Sequence, residues 1–387
     1  MSEPDGRSTA PLRDRRIAEV LATSTGGVGT HLRSLLVPLG RAGAAVRVCG
    51  PRATEELFAF TATGADFREV GISAGLAPAA DLRAVLALRR ATAGADLVHA
   101  HGLRAGLVAA AARRLTGERR PLVLTLHNAL PGGGGLKRRA LQSAEAATIR
   151  GADVVLAASG DLAENARRLG ARDVRVAPVA APPLPPAERP RVDVRRDLGL
   201  HEDQQALIVA VGRLHPQKGY DVLLDAAARW AADARLRPAP VVAIAGDGPL
   251  HAELSARIRA EQLPVTLLGR RTDVADLLRA ADVCVLPSVW EARSLTAQEA
   301  LRAGTPLVAT AVGGIPELVG DAAELVPAGD AGALADAVDR VLAEPARIAR
   351  LCAAGPRQAA GWPDEAATAQ QLVDLYAELL GVPGARR

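Results

Sequence analysis

Short runs of β-branched and other apolar residues at 16–23, 45–49, 97–101, 122–127, 154–157 and 174–177 alternate with stretches rich in Ala, Leu and Arg. Strands alternating with helices predict a parallel sheet wrapped by helices. Pro178, Pro182, Pro183, Pro185, Pro186 and Pro190 then break the pattern, and their fixed φ and missing donors predict an extended linker over 181–195. The alternation restarts at 206–211, 241–245, 265–268, 283–286, 307–310 and 324–326. The expectation is therefore a flexible tail over 1–14, one doubly wound domain over 15–185 and a second over 186–361. After the break at Trp362-Pro363, a terminal helix within 362–387 is expected to pack back toward the first domain. In such sheets ligands sit at the carboxyl ends of the strands, so the loops that follow these runs are where chemistry is sought.

Composition narrows the class. Hydrophobic residues at 49% and charged residues at 23% exclude a disordered polyelectrolyte, and 2% aromatics leave Val, Leu, Ile and Ala to build the core. Three cysteines, odd in number and with no Cys-x-x-Cys, indicate neither a disulfide framework nor a zinc ribbon. The charged N-terminus has no apolar signal core, and the longest apolar run, 105–112, is too short to span a bilayer. The expected location is cytoplasmic, at most peripheral on the inner membrane face.

The net charge of +4 hides a split, an excess of ten basic residues over 1–200 and of six acidic residues over 201–387. Arg113, Arg114, Arg119, Arg120, Lys137, Arg138 and Arg139 cluster with only Glu118 opposing them. They form either a solvated helix face or a contact for an anionic acceptor or membrane, worth about 1 kcal/mol per charge near anionic lipid. No aromatic residues interleave to stack bases, which argues against nucleic acid. Lysine occurs only at Lys137 and Lys218 among 47 basic residues, so each is conspicuous.

Three loops stand out. Ser24-Thr25-Gly26-Gly27-Val28-Gly29-Thr30-His31 follows a strand and opens a helix, where backbone N–H groups can meet an anion. It is not a dinucleotide fingerprint, because Leu32 takes the place of the third glycine and no acidic residue closes the next strand. Val211-Gly212-Arg213-Leu214-His215-Pro216-Gln217-Lys218-Gly219 is not a P-loop, since Gly219 follows the lysine, but it sets two cations at the mouth of a sheet. In the third stretch Glu291 falls in a loop and Glu299 about one turn inside the following helix, where a carboxylate can bind vicinal hydroxyls. His99 and His101 share a strand face and could form a zinc set with His127, but no fourth ligand stands out, so packing or hydrogen bonding is the preferred reading.

Taken in order, these motifs resemble those of the retaining family-4 glycosyltransferases over about 16–380, nearly the whole chain. The matching segments are the glycine-rich first loop, Leu126-His127-Asn128, Gly212-Arg213-Leu214 with Lys218-Gly219, Gly246-Asp247-Gly248-Pro249, Leu268-Gly269-Arg270 and the Glu291/Glu299 pair. The resemblance implies an α/β protein of GT-B fold, two facing Rossmann-like doubly wound parallel-sheet domains with a cleft between them. It implies transfer of a hexosyl group from a nucleoside-diphosphate sugar, most simply of UDP or GDP, to a hydroxyl of a small-molecule, lipid or glycan acceptor. By resemblance His127, Arg213, Lys218 and Glu291 would be the catalytic set. Arg213 and Lys218 would hold the donor diphosphate, Glu299 the ribose hydroxyls, Gly26 and Gly27 the phosphates, and Gly269 with Arg270 the base. Arg293, Ser294 and Leu295 would line the sugar and phosphate, and His127 would lie near the reacting carbon. No cofactor is expected, and with no Asp-x-Asp in the sequence no metal is expected either.

Two departures matter. The family continues its first glutamate as Glu-Gly-Phe-Gly, whereas this chain reads Glu291-Ala292-Arg293-Ser294, and its Pro-Asn-Gly is replaced by Pro178-Val179-Ala180. The altered turn keeps a non-catalytic nucleotide-sugar-binding accessory protein open as an alternative, with a nucleotide-sugar epimerase on the same fold as another.

Overall fold

A computed structural model describes residues 10–73, 75, 77–117, 119–129, 135–200, 205–233 and 238–382, with Thr116, Leu136 and Lys137 described by backbone alone. Most of the expected tail, along with Glu118 and the side chain of Lys137, lies outside the described residues. The chain divides into two compact units, Met1–Ala180 with Pro363–Arg387, and Ala181–Trp362.

The first unit holds seven strands, β1 (Arg16–Leu21), β2 (Ala45–Gly50), β3 (Asp66–Glu69), β4 (Leu97–His101), β5 (Leu122–Leu126), β6 (Val154–Ala157) and β7 (Val174–Val176). They form one parallel sheet in the order β3-β2-β1-β4-β5-β6-β7. Strands β4, β5 and β6 are buried along their whole length, as helices covering both faces of a parallel sheet require. Strand β3 escapes sequence patterning because Asp-Phe-Arg-Glu is an edge strand, mostly exposed, with no apolar alternation. Leu12, expected in a free tail, is fully buried, and its N–H donates to the Ala42 carbonyl. The helix Glu365–Leu379 packs Ala369, Leu372, Val373, Leu375 and Tyr376 into the same core as β1 and the helix Gly27–Arg41.

The second unit holds β8 (Leu207–Val211), β9 (Val241–Ala245), β10 (Val265–Leu267), β11 (Val283–Leu286), β12 (Leu307–Thr310) and β13 (Glu324–Val326), in the order β10-β9-β8-β11-β12-β13. All are parallel. Its core gathers Trp230, Tyr220, Leu223 and Leu224 against Ile208, Ile244, Val283 and Val285. The proline-rich stretch is tied to this unit. Gln298 Oε1 accepts from Ala181 N–H at 2.9 Å, and Asp276 Oδ1 accepts from the N–H groups of Glu188 and Arg189 at 2.7 and 3.0 Å. Residues 191–195, expected in the linker, begin the helix Arg191–Asp197.

In both sheets the strand order reverses between two central neighbours, β1 and β4 in the first and β8 and β11 in the second. That reversal opens a crevice at the carboxyl ends of those strands, which is where doubly wound folds bind ligands.

Candidate active site

In the second unit the loops leaving β8 and β11 are locked together. Pro216–Lys218 forms a single 3₁₀ turn closed by Gly219 at φ +62°. A Cβ at Gly219 would lie 2.1 Å from the Pro287 carbonyl oxygen, so only glycine permits the approach. Val289 N–H donates to the Gln217 carbonyl and Gln217 Nε2 to the Trp290 carbonyl, both at 2.8 Å. This stitching carries Lys218 to Glu291, where the ammonium donates to Oε1 at 2.5 Å. Ser288 Oγ donates to the same oxygen at 2.8 Å.

The Glu291 backbone is gripped from the next loop. Gly314 N–H donates to its carbonyl at 2.9 Å, and Gly313, at φ +53°, passes so close that a Cβ would sit 2.0 Å from that oxygen. Glu291 is buried with Lys218 half-buried beside it, while Arg213 is exposed and has no ion-pair partner among the described residues. Burial first, then the charges of Arg213 and Lys218, lower the pKa of His215 between them.

Ser294 caps the helix Leu295–Arg302 by accepting from Ala297 N–H, and Thr296 Oγ1 donates to the Val211 carbonyl, which ties the helix to the end of β8. Glu299 is half-buried on that helix, and burial raises its carboxyl pKa against the opposing charges of Arg302 and Lys218. Thus Lys218, Glu291, Ser294 and Glu299 come together at the β8/β11 reversal. Gly269, whose carbonyl accepts from Gly246 N–H, and exposed Arg270 follow β10 at the neighbouring edge. Arg293, the departure from the family pattern, lies with its guanidinium 5.6 Å from the Trp362 ring and its Nε and Nη2 buried without hydrogen-bond partners among the described residues. Burial lowers its pKa.

In the first unit Gly26 precedes the helix Gly27–Arg41 as its N-cap, with no side chain to cap it. His127 follows β5 and is buried with His31 and His101, the His31 ring edge-on at 5.7 Å and the His101 ring stacked at 5.6 Å. Burial, reinforced by the other histidines, keeps His127 well below the usual histidine range and lowers His31 to about 3. Two partners of this cluster carry no motif, Glu19 on β1 and Tyr376 on the last helix. The signals that point to them are a lone carboxylate inside an apolar strand and one of only two tyrosines in the chain.

Among the described residues, Glu19, His99 and His101 have ligating atoms within 4.8 Å of one another, and His127 is not part of that group. His99 and His101 thus meet Glu19 instead of forming a trio with His127, and each makes hydrogen bonds within the unit. In the basic cluster, Arg113 is bound through both terminal nitrogens to Asp153, and Arg120 donates to the Thr92 carbonyl, so these two serve the fold. Arg114, Arg119 and Arg139 are exposed. No helix among the described residues is long and apolar enough to cross a membrane.

Residues 26–182 match the Glycosyl transferase 4-like domain, and residues 205–344 match Glycosyl transferases group 1. The D-inositol 3-phosphate glycosyltransferase of Thermomonospora curvata is 35% identical over 320 residues, covering 73% of this chain and 71% of that protein. D-inositol 3-phosphate glycosyltransferase 1 of Catenulispora acidiphila is also 35% identical, with 70% of each chain covered. Among solved structures, Anabaena Alr3699/HepE in complex with UDP-glucose superposes with a TM-score of 0.76 at 22% identity, over 94% of this chain and 99% of that one. With two Rossmann-like parallel-sheet units and matches across both, the chain is a glycosyltransferase of GT-B fold and belongs to the group 1 glycosyltransferases.

Proposed function

We propose that the chain transfers a hexosyl group from a nucleoside-diphosphate sugar to an acceptor hydroxyl with retention at the anomeric carbon and without a metal ion. The observation that carries this reading is the Lys218 ammonium, fixed on Glu291 beside the β8/β11 crevice with Arg213 exposed on the same loop. Cleavage of the sugar–phosphate bond leaves negative charge on the departing diphosphate while the sugar becomes oxocarbenium-like. Two side-chain cations supply the neutralisation a divalent ion would otherwise give, and a donor preorganised in this way is commonly worth about 10²–10³ in rate. Glu291 holds Lys218 before the donor arrives and faces the transferred sugar, while Glu299 accepts from the ribose hydroxyls. A leaving-phosphate oxygen takes the acceptor proton on the same face, so no protein nucleophile is required and Glu291 is not assigned as one. His127 contacts the sugar near the reacting carbon.

For the acceptor, two relatives about 35% identical are named D-inositol 3-phosphate glycosyltransferases. A small phosphorylated polyol is therefore the first choice, and the basic excess over residues 1–200 suits an anionic acceptor. Any peripheral contact with anionic lipid would fall to Arg114, Arg119 and Arg139, and charge reversal at these three should then abolish liposome binding.

The test is an assay of UDP- and GDP-sugars with an inositol phosphate acceptor. Sugar transfer that is crippled in both Lys218→Ala and Glu299→Ala supports the assignment. Full activity of both variants, or no turnover with any nucleotide sugar, contradicts it.

A further inference from the structure

The least expected feature of the first unit is a carboxylate at its centre. Glu19 lies mid-strand on β1, fully buried, and in register with His99 of neighbouring β4. Its charge is met by three side-chain donors. Tyr376 Oη lies 2.7 Å from Oε1, His101 Nε2 2.8 Å from Oε2, and His99 Nδ1 3.3 Å from Oε2. Burial alone would raise its pKa, but the two histidines facing it outweigh this and hold the carboxyl well below the usual range. A leucine here would bury as well without any desolvation cost, so packing alone gives no reason for a charge.

An ionised carboxylate can only accept, and that fixes the protons around it. Tyr376 O–H and His101 Nε2–H both donate to Glu19. Tyr376, its own proton spent, accepts at 2.6 Å from His99 Nδ1–H, which leaves His99 Nε2 to accept from Thr125 Oγ1–H at 2.6 Å. With one proton on each ring, His101 Nδ1 is bare, and the group facing it, at 3.4 Å, is His127 Nε2. His127 must therefore carry its proton on Nε2 and keep Nδ1 as an acceptor.

We infer that Glu19 is a positioning residue that selects, through His101, the ring nitrogen of His127 that bears the proton, with Tyr376 of the last helix completing the network. The inference deepens the reading of His127 as a sugar-contacting residue and rests on it. A histidine in the wrong tautomer offers N–H where the substrate needs a lone pair, so geometry alone does not make it competent.

The experiment is long-range ¹H–¹⁵N correlation NMR of histidine-labelled full-length protein at pH 8. His101 and His127 are each expected as a single Nε2–H tautomer. In Glu19→Gln the amide can donate to His101 Nε2, so the Nδ1–H form of His127 is expected to appear. An Nδ1–H form of His127 in the parent, or an unchanged tautomer in the variant, overturns the inference, and the parental spectrum decides even if the variant fails to fold.

In turnover, Glu19→Gln is expected to lower kcat about 10-fold with the donor KM unchanged. In a His127→Ala background it should have no further effect, and additive losses would overturn the inference. Full activity of His127→Ala would instead remove the catalytic reading of His127 while leaving the tautomer result to stand by itself.

Discussion

The two sheets reverse strand order in the same way, yet the crevices they open are built from opposite materials. At the β1/β4 reversal a single carboxylate is surrounded by tyrosine and histidine donors, fully buried, with each proton assigned by its neighbour. At the β8/β11 reversal a lysine and a glutamate form a tight ion pair beside an exposed arginine, and glycines hold the loops in contact. One fold element thus serves two chemistries. A buried network fixes where a proton sits, and a half-buried ion pair fixes where a positive charge sits. The first is sensitive to hydrogen-bond direction, the second to charge.

The contrast is broken most severely at Lys218. Lys218→Ala removes a cation and strands the buried Glu291 carboxylate, and kcat is expected to fall about 10²–10³-fold. Steady-state kinetics check this, and a loss confined to KM would make the charge a binding device only. Lys218→Arg should not restore the rate, since a planar fork does not replace a point charge at a site shaped for one.

Gly313→Ala is the next largest. Its φ of +53° and the 2.0 Å approach to the Glu291 carbonyl mean that the loop must shift, at about 1–3 kcal/mol of strain. Urea unfolding monitored by tryptophan fluorescence measures this, because Trp230, Trp290 and Trp362 all belong to the second unit.

Acid separates the two regions. Burial lowers His31 to about 3 and His99 to about 4, against an ordinary value of 6.5. The unfolded chain then binds more protons than the folded one, so stability of the first unit is full above about pH 6.5 and is lost as pH falls through that window. Glu19, also lowered, adds to the loss below its ordinary 4.5. Glu299 in the second unit is shifted the other way, so its contribution improves on acidification. Lowering pH from 7.5 to 5 should move the circular-dichroism transition to lower urea more than the tryptophan transition. An equal or larger tryptophan shift would erase the distinction between the regions.

The smallest effect is expected at Ser294→Ala, which removes the N-cap of the helix bearing Glu299. About 1 kcal/mol of stability should be lost in the same urea experiment, with a modest rise in donor KM.

The second crevice was largely legible in the sequence because each of its residues carries its own loop motif, although Lys218 and Glu291 lie 73 residues apart. Lys218 and Glu291 each sit in a loop that directly follows an apolar run, and the order of the motifs identifies them. The network of the first unit was not, since the partners of Glu19 lie 82 residues away at His101 and 357 away at Tyr376. No periodicity links such positions, and a glutamate within β1 reads only as an interruption. The proline-rich stretch shows the same limit. Residues 177–188 form neither helix nor strand, as the prolines indicate, but the bonds from Ala181, Glu188 and Arg189 that tie the stretch down depend on side chains 87 to 117 residues away. Strand β3 was missed because a short exposed edge strand carries no pattern of burial.

Side-chain cations, not a metal ion, are proposed to neutralise the leaving diphosphate while configuration is retained. A ¹H NMR time course of transfer from an α-linked nucleotide sugar, run in chelator, reads both at once. An α-linked product formed at the full rate is expected. A β-linked product, or activity that returns only when a divalent cation is added back, would contradict it.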